Sequence, residues 1–267
     1  MLGGRLQLNA VEITMPTSGT CCICGVEGPL SFEHVPPEAA YNDQRVFEAD
    51  IKRLVSSGRD GSAPVAGKWI QGGAGEYTLC GRCNELTGGW YGSAYVNWAR
   101  RAVELVTRSQ GKMSLAYPYD IYGMRALKQV VVMFLSACGP ELQKRFPELV
   151  RFVLNKYDEH VPCGLRVFGY LLDPTGSRGF RQSGMSGVVN FNRGKQHVFS
   201  EIAFSPFGFL LTGDIEPIHA DLCDITHLAD HPFHRKETWW LKLPVLPVVS
   251  WLPGDFRTAD EIQKNNG

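Results

Sequence analysis

Residues 21–34 read CCICGVEGPLSFEH and residues 79–84 read LCGRCN. Each stretch contains a C-x-x-C pair, whose two-residue spacer lets both thiolates of a tight turn bind one ion. Two such pairs supply the tetrahedral sulfur set that zinc prefers, and a site of this kind contributes on the order of 10 kcal/mol to folding. We therefore predict one structural Zn²⁺ whose ligands are Cys21, Cys24, Cys80 and Cys83.

Other roles for these cysteines remain open at this point. Disulfides are disfavoured in a reducing compartment, and a thioredoxin-like pair lacks its usual βαβ context. An iron–sulfur cluster also takes four cysteines, although two pairs this far apart are more typical of zinc. Cys22 is an alternative to Cys21, but its spacing to Cys24 is one residue short. The remaining cysteines are interpreted as small buried hydrophobic residues: Cys138, Cys163 and Cys223.

The composition of the 267 residues, 44% hydrophobic and 20% charged, is typical of a folded globular protein. Lys plus Arg and Asp plus Glu both number 27, so the net charge indicates no polyanionic partner. No apolar run approaches the roughly 18 residues of a membrane span, and the N-terminus lacks a signal-peptide pattern. We therefore expect a cytoplasmic protein without a membrane partner.

Apolar spacing predicts helices in the middle of the chain. Apolar residues recur at intervals near 3.6 over 91–106, which predicts an amphipathic helix ending before Gly111. A second helix is predicted over about 120–138, where Gly139 and Pro140 follow, and a third over about 147–157.

After residue 160, short runs rich in Val, Phe, Ile and Tyr alternate with turn residues. This pattern predicts an antiparallel sheet. Residues 239–251 are aromatic and broken by prolines, which favours an edge strand or a wrapping arm. The fold class is therefore α+β. The other predicted strands span 165–172, 187–191, 197–204 and 207–212.

Glu33 and His34 are adjacent in SFEHVPP, residues 31–37. A lone Glu-His pair is usually a surface feature. Here a C-x-x-C pair precedes it, and L-C-x-x-C followed at once by Asn84 comes after it. This order of features resembles the HNH endonucleases in their zinc-stapled ββα-metal form, over about residues 20–95.

The resemblance implies a metal-dependent endonuclease that hydrolyses phosphodiester bonds in DNA, with RNA as the other candidate substrate. It implies that His34 is the general base, because a neutral imidazole accepts a proton at cellular pH. It also implies that Glu33 and Asn84 hold a catalytic divalent ion, most simply Mg²⁺, through oxygen atoms. The family's usual settings are mobile elements, restriction and phage defence.

Two features depart from the family pattern. The middle Asn of the motif, which ties the hairpin loop, is replaced by Gly75, and Gln71 is the candidate substitute. A long insertion separates the two cysteine pairs, and residues 56–76 within it are rich in Gly and Ser, which predicts a mobile loop. A zinc-stapled but catalytically inert module that binds nucleic acid or protein is the alternative function.

Residues 85–156 are the basic part of the chain, with 10 basic and five acidic side chains. We interpret this excess as a surface for the phosphate backbone. Trp90 and Tyr91 are candidates either for stacking on a base or for packing, and the glycines at 88, 89 and 92 permit close approach of a backbone. The predicted nucleic-acid contacts are Arg82, Arg100, Arg101, Arg108 and Lys112, supported by Arg125 and Lys128.

The predicted organisation is an N-terminal tail over 1–19, an HNH nuclease module with an inserted loop over 20–112, a helical segment over 113–160 and a β-rich region over 161–267. The last region resembles no family, and a regulatory protein or a ligand is its candidate partner. The four histidines that cluster late in this region fit no zinc motif and are interpreted as polar loop residues rather than a second metal site. They are His219, His227, His231 and His234.

Overall fold

The computed structural model of the chain describes residues 17–48, 67–108, 112–162, 164–172, 181–182, 186–190, 195–213 and 221–246. These residues form a mixed α+β fold, as predicted. Some predicted features lie outside them: the N-terminal tail up to residue 16, residues 56–66 of the inserted loop, Gly111, Cys163, His219 and the chain after residue 246.

The strands lie in three sheets among the described residues, with three, two and eight strands. In chain order they are β1 (Ser18–Thr20), β2 (Glu27–His34), β3 (Val46–Glu48), β4 (Lys68–Ile70), β5 (Gly75–Cys80), β6 (Ser114–Ile121), β7 (Arg166–Leu172), β8 (Arg181–Gln182), β9 (Ser186–Asn190), β10 (Lys195–Phe204), β11 (Phe207–Thr212), β12 (Cys223–Asp224) and β13 (Glu237–Leu246). The helices are α1 (Gly81–Thr87), α2 (Ser93–Arg108), α3 (Gly123–Cys138), α4 (Pro140–Arg145) and α5 (Pro147–Leu154), with a π-helical turn at Gly88–Gly92 and a 3₁₀ turn at Thr226–Asp230.

The first sheet, in the order β1–β2–β5, leads directly into a helix. β2 and β5 are antiparallel, with Leu30 opposite Cys80 and His34 opposite Gly75. α1 begins at Gly81, immediately after β5, and continues through the π-helical turn into α2. The helical run therefore starts ten residues before the predicted start at Tyr91. The inserted segment is not a continuous loop, because β4 pairs with β3.

α3 lies at the centre of the core, with most of its side chains buried. The predicted helix start near residue 120 is wrong. Asp120 and Ile121 belong to β6, in which Tyr119 and Ile121 point inward and Asp120 outward. A sheet partner that lies far along the chain overrides the local helical pattern there, because β6 pairs with β13.

Among the described residues no helix has the length and apolar character needed to cross a membrane.

The large sheet runs in the order β6–β13–β7–β11–β10–β8. The four strands predicted after residue 160 are confirmed to within two residues at each end. The prediction of an edge strand at the end of the chain is wrong, because β13 lies between β6 and β7. β13 is antiparallel to β6 and parallel to β7, so the sheet is mixed. Pro244 has no N–H group to donate to a neighbouring strand. It is tolerated because it is the last residue of β13 that pairs with β6, opposite Ser114, and the pairing with β7 begins at the next residue, opposite Leu171.

One hydrophobic cluster extends from Cys21 through α2 and α3 to Leu243. It therefore joins all three of the predicted segments 20–112, 113–160 and 161–267. In β7, Val167 and Leu171 belong to this cluster, whereas Phe168 and Tyr170 belong to a second one. Since alternate residues of a strand face opposite sides, the sheet is buried on both faces.

Candidate functional site

The four cysteines of the C-x-x-C pairs converge on one point. Their sulfur atoms all lie within 4.8 Å of one another, and Sγ of Cys24 is 3.8 Å from Sγ of Cys80. A tetrahedral zinc with sulfur ligands at about 2.3 Å separates those sulfurs by about 3.8 Å. The cysteines therefore can hold one metal ion such as zinc. Cys21 and Cys24 come from the turn after β1, while Cys80 ends β5 and Cys83 lies in the first turn of α1.

Backbone hydrogen bonds shape the turn that carries the first pair. Gly25 donates to the carbonyl of Cys21 at 2.9 Å and has a φ of 71°, which favours glycine. The N–H of Cys22 donates to the carbonyl of Thr78 at 2.9 Å, which fastens the turn to β5. The Cys22 side chain is buried in the core, and burial raises its pKa to about 12. Cys22 is not one of the four cysteines whose sulfur atoms converge.

Glu33, His34 and Asn84 line the same cleft, which has a volume of about 460 Å³. One wall is the end of β2 and the loop that follows it, and the other wall is the helical run from α1 to α2. Glu33 and Asn84, which are 51 positions apart in the chain (84 − 33), thus line a common space. The lining residues are Phe32, Glu33, His34, Pro37, Glu38, Ala39, Asn84, Gly88, Gly92, Ser93, Val96, Asn97, Arg100 and Gln129.

The carboxyl group of Glu33 is buried at the inner side of this cleft, where only 7% of the residue is exposed. Burial raises the pKa of Glu33 to about 7, because the charged form loses its hydration. A cation in the cleft would restore the favourable environment of the carboxylate and return its pKa toward the ordinary range. The position is thus chemically suited to a metal ligand.

The imidazole of His34 is oriented by a backbone carbonyl. Its Nε2 lies 2.8 Å from the carbonyl oxygen of Gly72, which can only accept a hydrogen bond. Nε2 therefore carries the proton of the neutral ring, and Nδ1 is left as the basic nitrogen. The ring of Phe32 contacts the imidazole edge-on at a centroid distance of 4.9 Å and helps to hold its plane.

The amide of Asn84 is oriented by β2. Its Nδ2 donates to Oγ of Ser31 and to the carbonyl of Phe32, both at 3.1 Å. Because the Phe32 carbonyl is only an acceptor, these bonds assign the nitrogen to the β2 side and leave Oδ1 as the acceptor end of the amide. Asn84 occupies the first turn of α1, directly after the last cysteine.

Asn42 is a structural residue that the sequence analysis missed. Its Nδ2 donates to the carbonyls of Pro36 and Ala74 at 2.6 and 2.7 Å, and its Oδ1 accepts from the N–H of Ala74 at 2.6 Å. The buried Asn42 side chain therefore ties the loop after β2 to the start of β5. Gln71, the candidate for this role, is exposed, so that hypothesis is wrong. The only signal in the sequence was an asparagine shortly after EHVPP.

Two glycines explain why the middle position of the motif has no side chain. A Cβ at Gly75 would lie 2.2 Å from the carbonyl oxygen of Glu33, on the opposite strand. A Cβ at Gly73, whose φ is 99°, would lie 1.9 Å from the carbonyl oxygen of Asn42. Backbone therefore fills the space that a side chain at Gly75 would need, and the tie comes from Asn42 instead.

Of the predicted nucleic-acid contacts, Arg100 lines the cleft and is exposed. Arg101 donates to Oε2 of Glu104 at 2.6 Å and lies over the ring of Tyr117. The other three are exposed but lie outside the cleft lining: Arg82, Arg108 and Lys112.

Lys128 does not belong to an exposed basic surface, contrary to the prediction, whereas Arg125 is half-buried. Lys128 is fully buried and donates to the carbonyls of Phe152 and Asn155, both at 2.7 Å. Nε of Arg125 donates to the carbonyl of Trp90 at 2.8 Å. Both residues therefore stabilise the packing of α3 against its neighbours.

The stretch after α1 is divided between core and cleft. Tyr91 is buried and donates to the carbonyl of Val153 at 2.6 Å, so it packs and does not stack on a base. Gly88 and Gly92 line the cleft, and a Cβ at either position would meet no atom within 4 Å. The helical wall of the cleft therefore carries no side chain at these two positions.

The three late histidines that the structure describes, His227, His231 and His234, contact neighbouring side chains. His231 pairs with the carboxylate of Glu237 and contacts the ring of Trp239. In the part of the chain that the structure describes, the four cysteines are the one group of three or more His, Cys, Asp or Glu residues whose ligand atoms converge closely enough to hold a metal ion.

Comparison with protein-family models, with curated proteins and with solved structures gives no match to this chain. The resemblance to HNH endonucleases therefore rests on the motif residues of the sequence.

We predict that Cys83→Ser abolishes metal binding at the four-cysteine site, since three sulfurs leave the tetrahedral set incomplete. Purified wild-type protein should contain one zinc per chain and the variant none, with a large fall in melting temperature, because such sites contribute on the order of 10 kcal/mol. Cys223→Ser is the matched control and should retain zinc. Wild-type protein without zinc, or a variant that keeps a full equivalent, would contradict the assignment.

We predict that Asn42→Ala lowers the free energy of unfolding by about 3 kcal/mol, because it leaves buried backbone groups of Pro36 and Ala74 without partners. Urea unfolding measures this change. Gln71→Ala is the control, and as a surface substitution it should change the free energy of unfolding by less than about 0.5 kcal/mol. Equal effects of the two substitutions would refute the role of Asn42.

Proposed function

We propose that the protein is a metal-dependent endonuclease of the HNH type that hydrolyses phosphodiester bonds in DNA. In this proposal β2, β5 and α1 are the two strands and the helix of a ββα-metal module, and the four-cysteine site is its zinc staple. The observation that carries the proposal is the common cleft of Glu33, His34 and Asn84. These three residues would supply a basic nitrogen and two oxygen ligands to one space, a combination suited to hydrolysis of a phosphodiester.

His34 takes the role of general base in the proposed reaction. Its Nδ1 accepts a proton from a water molecule, and the oxygen of that water attacks the phosphorus atom. The bond between phosphorus and the 3′ oxygen breaks, and the 3′ oxygen leaves with a proton from solvent. The contact between Nε2 and the Gly72 carbonyl supports this role, because it stabilises the imidazolium that forms.

Glu33 and Asn84 would hold the divalent ion, through the carboxylate and through Oδ1. When bound, an ion such as Mg²⁺ supplies positive charge to the phosphate and to the leaving oxygen. The burial of Glu33 supports this assignment, because an ionised carboxylate at that depth needs a cation partner. The hydrogen bonds from Asn84 to β2 support it as well, since they direct Oδ1 away from the strand.

Arg100 would bind a phosphate of the DNA backbone beside the scissile bond. It lies on the helical wall, on the same side as Ser93 and Asn97, where successive turns of α2 face the cleft. A guanidinium group binds two phosphate oxygens at once. The open wall at Gly88 and Gly92 supports this mode, because a strand of nucleic acid needs space along the helix.

The proposal predicts that His34→Ala slows cleavage of plasmid DNA in Mg²⁺ by roughly 10²- to 10⁴-fold, the usual cost of losing a general base. His160→Ala is the matched control, because the His160 side chain is 88% exposed and lies outside the cleft lining. Equal cleavage by wild type and His34→Ala would overturn the assignment of the base. DNA binding without cleavage by either protein would instead indicate the inert binding module.

Gly88→Leu is predicted to block the cleft without disturbing the fold, because Gly88 is exposed, lines the cleft, and a Cβ there would meet no atom within 4 Å. Cleavage should fall by roughly 100-fold, since small displacements of the reacting groups have effects of that size. The melting temperature should not fall, because leucine favours helix more than glycine by about 1 kcal/mol. Gly89→Leu is the control: Gly89 lies in the same π-helical turn, also faces open space and does not line the cleft. Similar activities of the two variants would place the substrate elsewhere.

A further inference from the structure

Three aromatic rings form a row on one face of the first sheet, from the cleft outward. His34 and Phe32 are two positions apart in β2 and therefore point to the same face, and Tyr77 of β5 pairs with Phe32. The ring centroids of His34 and Phe32 are 4.9 Å apart, and those of Phe32 and Tyr77 are 5.4 Å apart. The Tyr77 ring therefore lies at most about 10 Å from the imidazole.

Tyr77 ends this row at the surface, where the residue is 51% exposed. Its contact with Phe32 is T-shaped, with an interplanar angle of 74°, so at most one face of the tyrosine ring is turned to Phe32. Gly75, the next residue of β5 on this face, lies opposite His34 and carries no side chain. Along β5, no side chain therefore stands between Tyr77 and the end of the strand beside His34.

The size and charge of the cleft favour a single strand of nucleic acid over a duplex. A volume of about 460 Å³ is in the range of a small-molecule pocket, which a flexible strand enters more readily than a stiff duplex. Duplex binding depends on neutralising many phosphates, but the chain has 27 basic and 27 acidic side chains. Stacking of bases on aromatic rings supplies binding energy that does not depend on charge.

The faces of a base inside a duplex are covered by the neighbouring base pairs. An aromatic side chain therefore stacks on a base only where the strand is unpaired or the base has left the stack. Successive nucleotides of a stacked strand rise by about 3.4 Å, so a base on Tyr77 belongs to a nucleotide close to the phosphate at His34. A ring at this position thus selects for an unpaired segment beside the scissile bond.

We propose that Tyr77 stacks on a base of the substrate and that the cleft acts on a single-stranded or locally unpaired segment of nucleic acid. This inference deepens the proposed function and rests on it, because it takes nucleic acid as the substrate. The bases of the bound strand lie along the aromatic row, and its phosphates face Arg100 on the helical wall of the cleft.

Fluorescence anisotropy of a labelled oligonucleotide with the zinc-loaded full chain tests this role, without added divalent ion so that no cleavage occurs. Tyr77→Ala should raise the Kd for the single strand by about 5- to 150-fold, the range that base–aromatic stacking gives. Tyr77→Phe keeps the ring and should bind as wild type does. Tyr157→Ala is the matched control, because Tyr157 is 57% exposed and lies outside the cleft lining.

An abasic oligonucleotide of the same length separates stacking from a structural role of Tyr77. Wild type should bind the abasic strand as weakly as Tyr77→Ala binds the normal strand, and the variant should bind both strands alike, because the base and the ring act as one pair. The same sequence as a duplex should bind wild type more weakly than the single strand and should not distinguish wild type from Tyr77→Ala.

Equal losses of Tyr77→Ala on the normal and abasic strands would overturn the inference, since the variant would then have disturbed the fold. Wild type that binds the abasic strand as tightly as the normal one would overturn it as well, whether or not the variant folds. In either case, plasmid cleavage by wild type in Mg²⁺ would leave the endonuclease proposal standing. Base-dependent and Tyr77-dependent binding by a protein that does not cleave would support the inference and overturn the endonuclease.

Discussion

The convergence of four sulfur atoms is the constraint on which the arrangement of the cleft depends. One pair belongs to the turn before β2, and the other joins the end of β5 to the start of α1. A metal bound by all four would fasten the hairpin to the helix at one point. Asn84 follows the last of these cysteines directly, so this point also sets its distance from β2, where its amide binds Ser31 and Phe32.

The other wall of the cleft, formed by the end of β2 and the loop after it, is held in place by hydrogen bonds and involves no metal. Asn42 ties the loop after β2 to Ala74, and this tie holds the Gly72 carbonyl within reach of His34. The glycines at 73 and 75 permit the two backbones to approach closely. The sulfur cluster and the asparagine therefore have separate tasks: the first positions the helix, and the second positions the imidazole.

The cleft also depends on the rest of the fold. Oγ of Thr78 in β5 lies 2.6 Å from Oγ of Ser136 in α3, and Arg125 of the same helix binds the π-helical turn. α3 therefore supports both walls and contributes Gln129 to the lining. Because the hydrophobic cluster continues from the cysteine turn into the large sheet, the cleft is built on a single core and not on an isolated small module.

The sequence by itself determined the features that depend on short spacing: the two C-x-x-C pairs, the Glu33-His34 doublet, Asn84 after the last cysteine, and the strands after residue 160. Only the tertiary structure decided that residues 114–121 form a strand, that β13 is an interior strand, that Lys128 is buried, and that Asn42 ties the loop. The reason is physical. Local spacing sets which atoms of a turn or strand can act together, whereas burial and strand pairing depend on partners that lie far away in the chain.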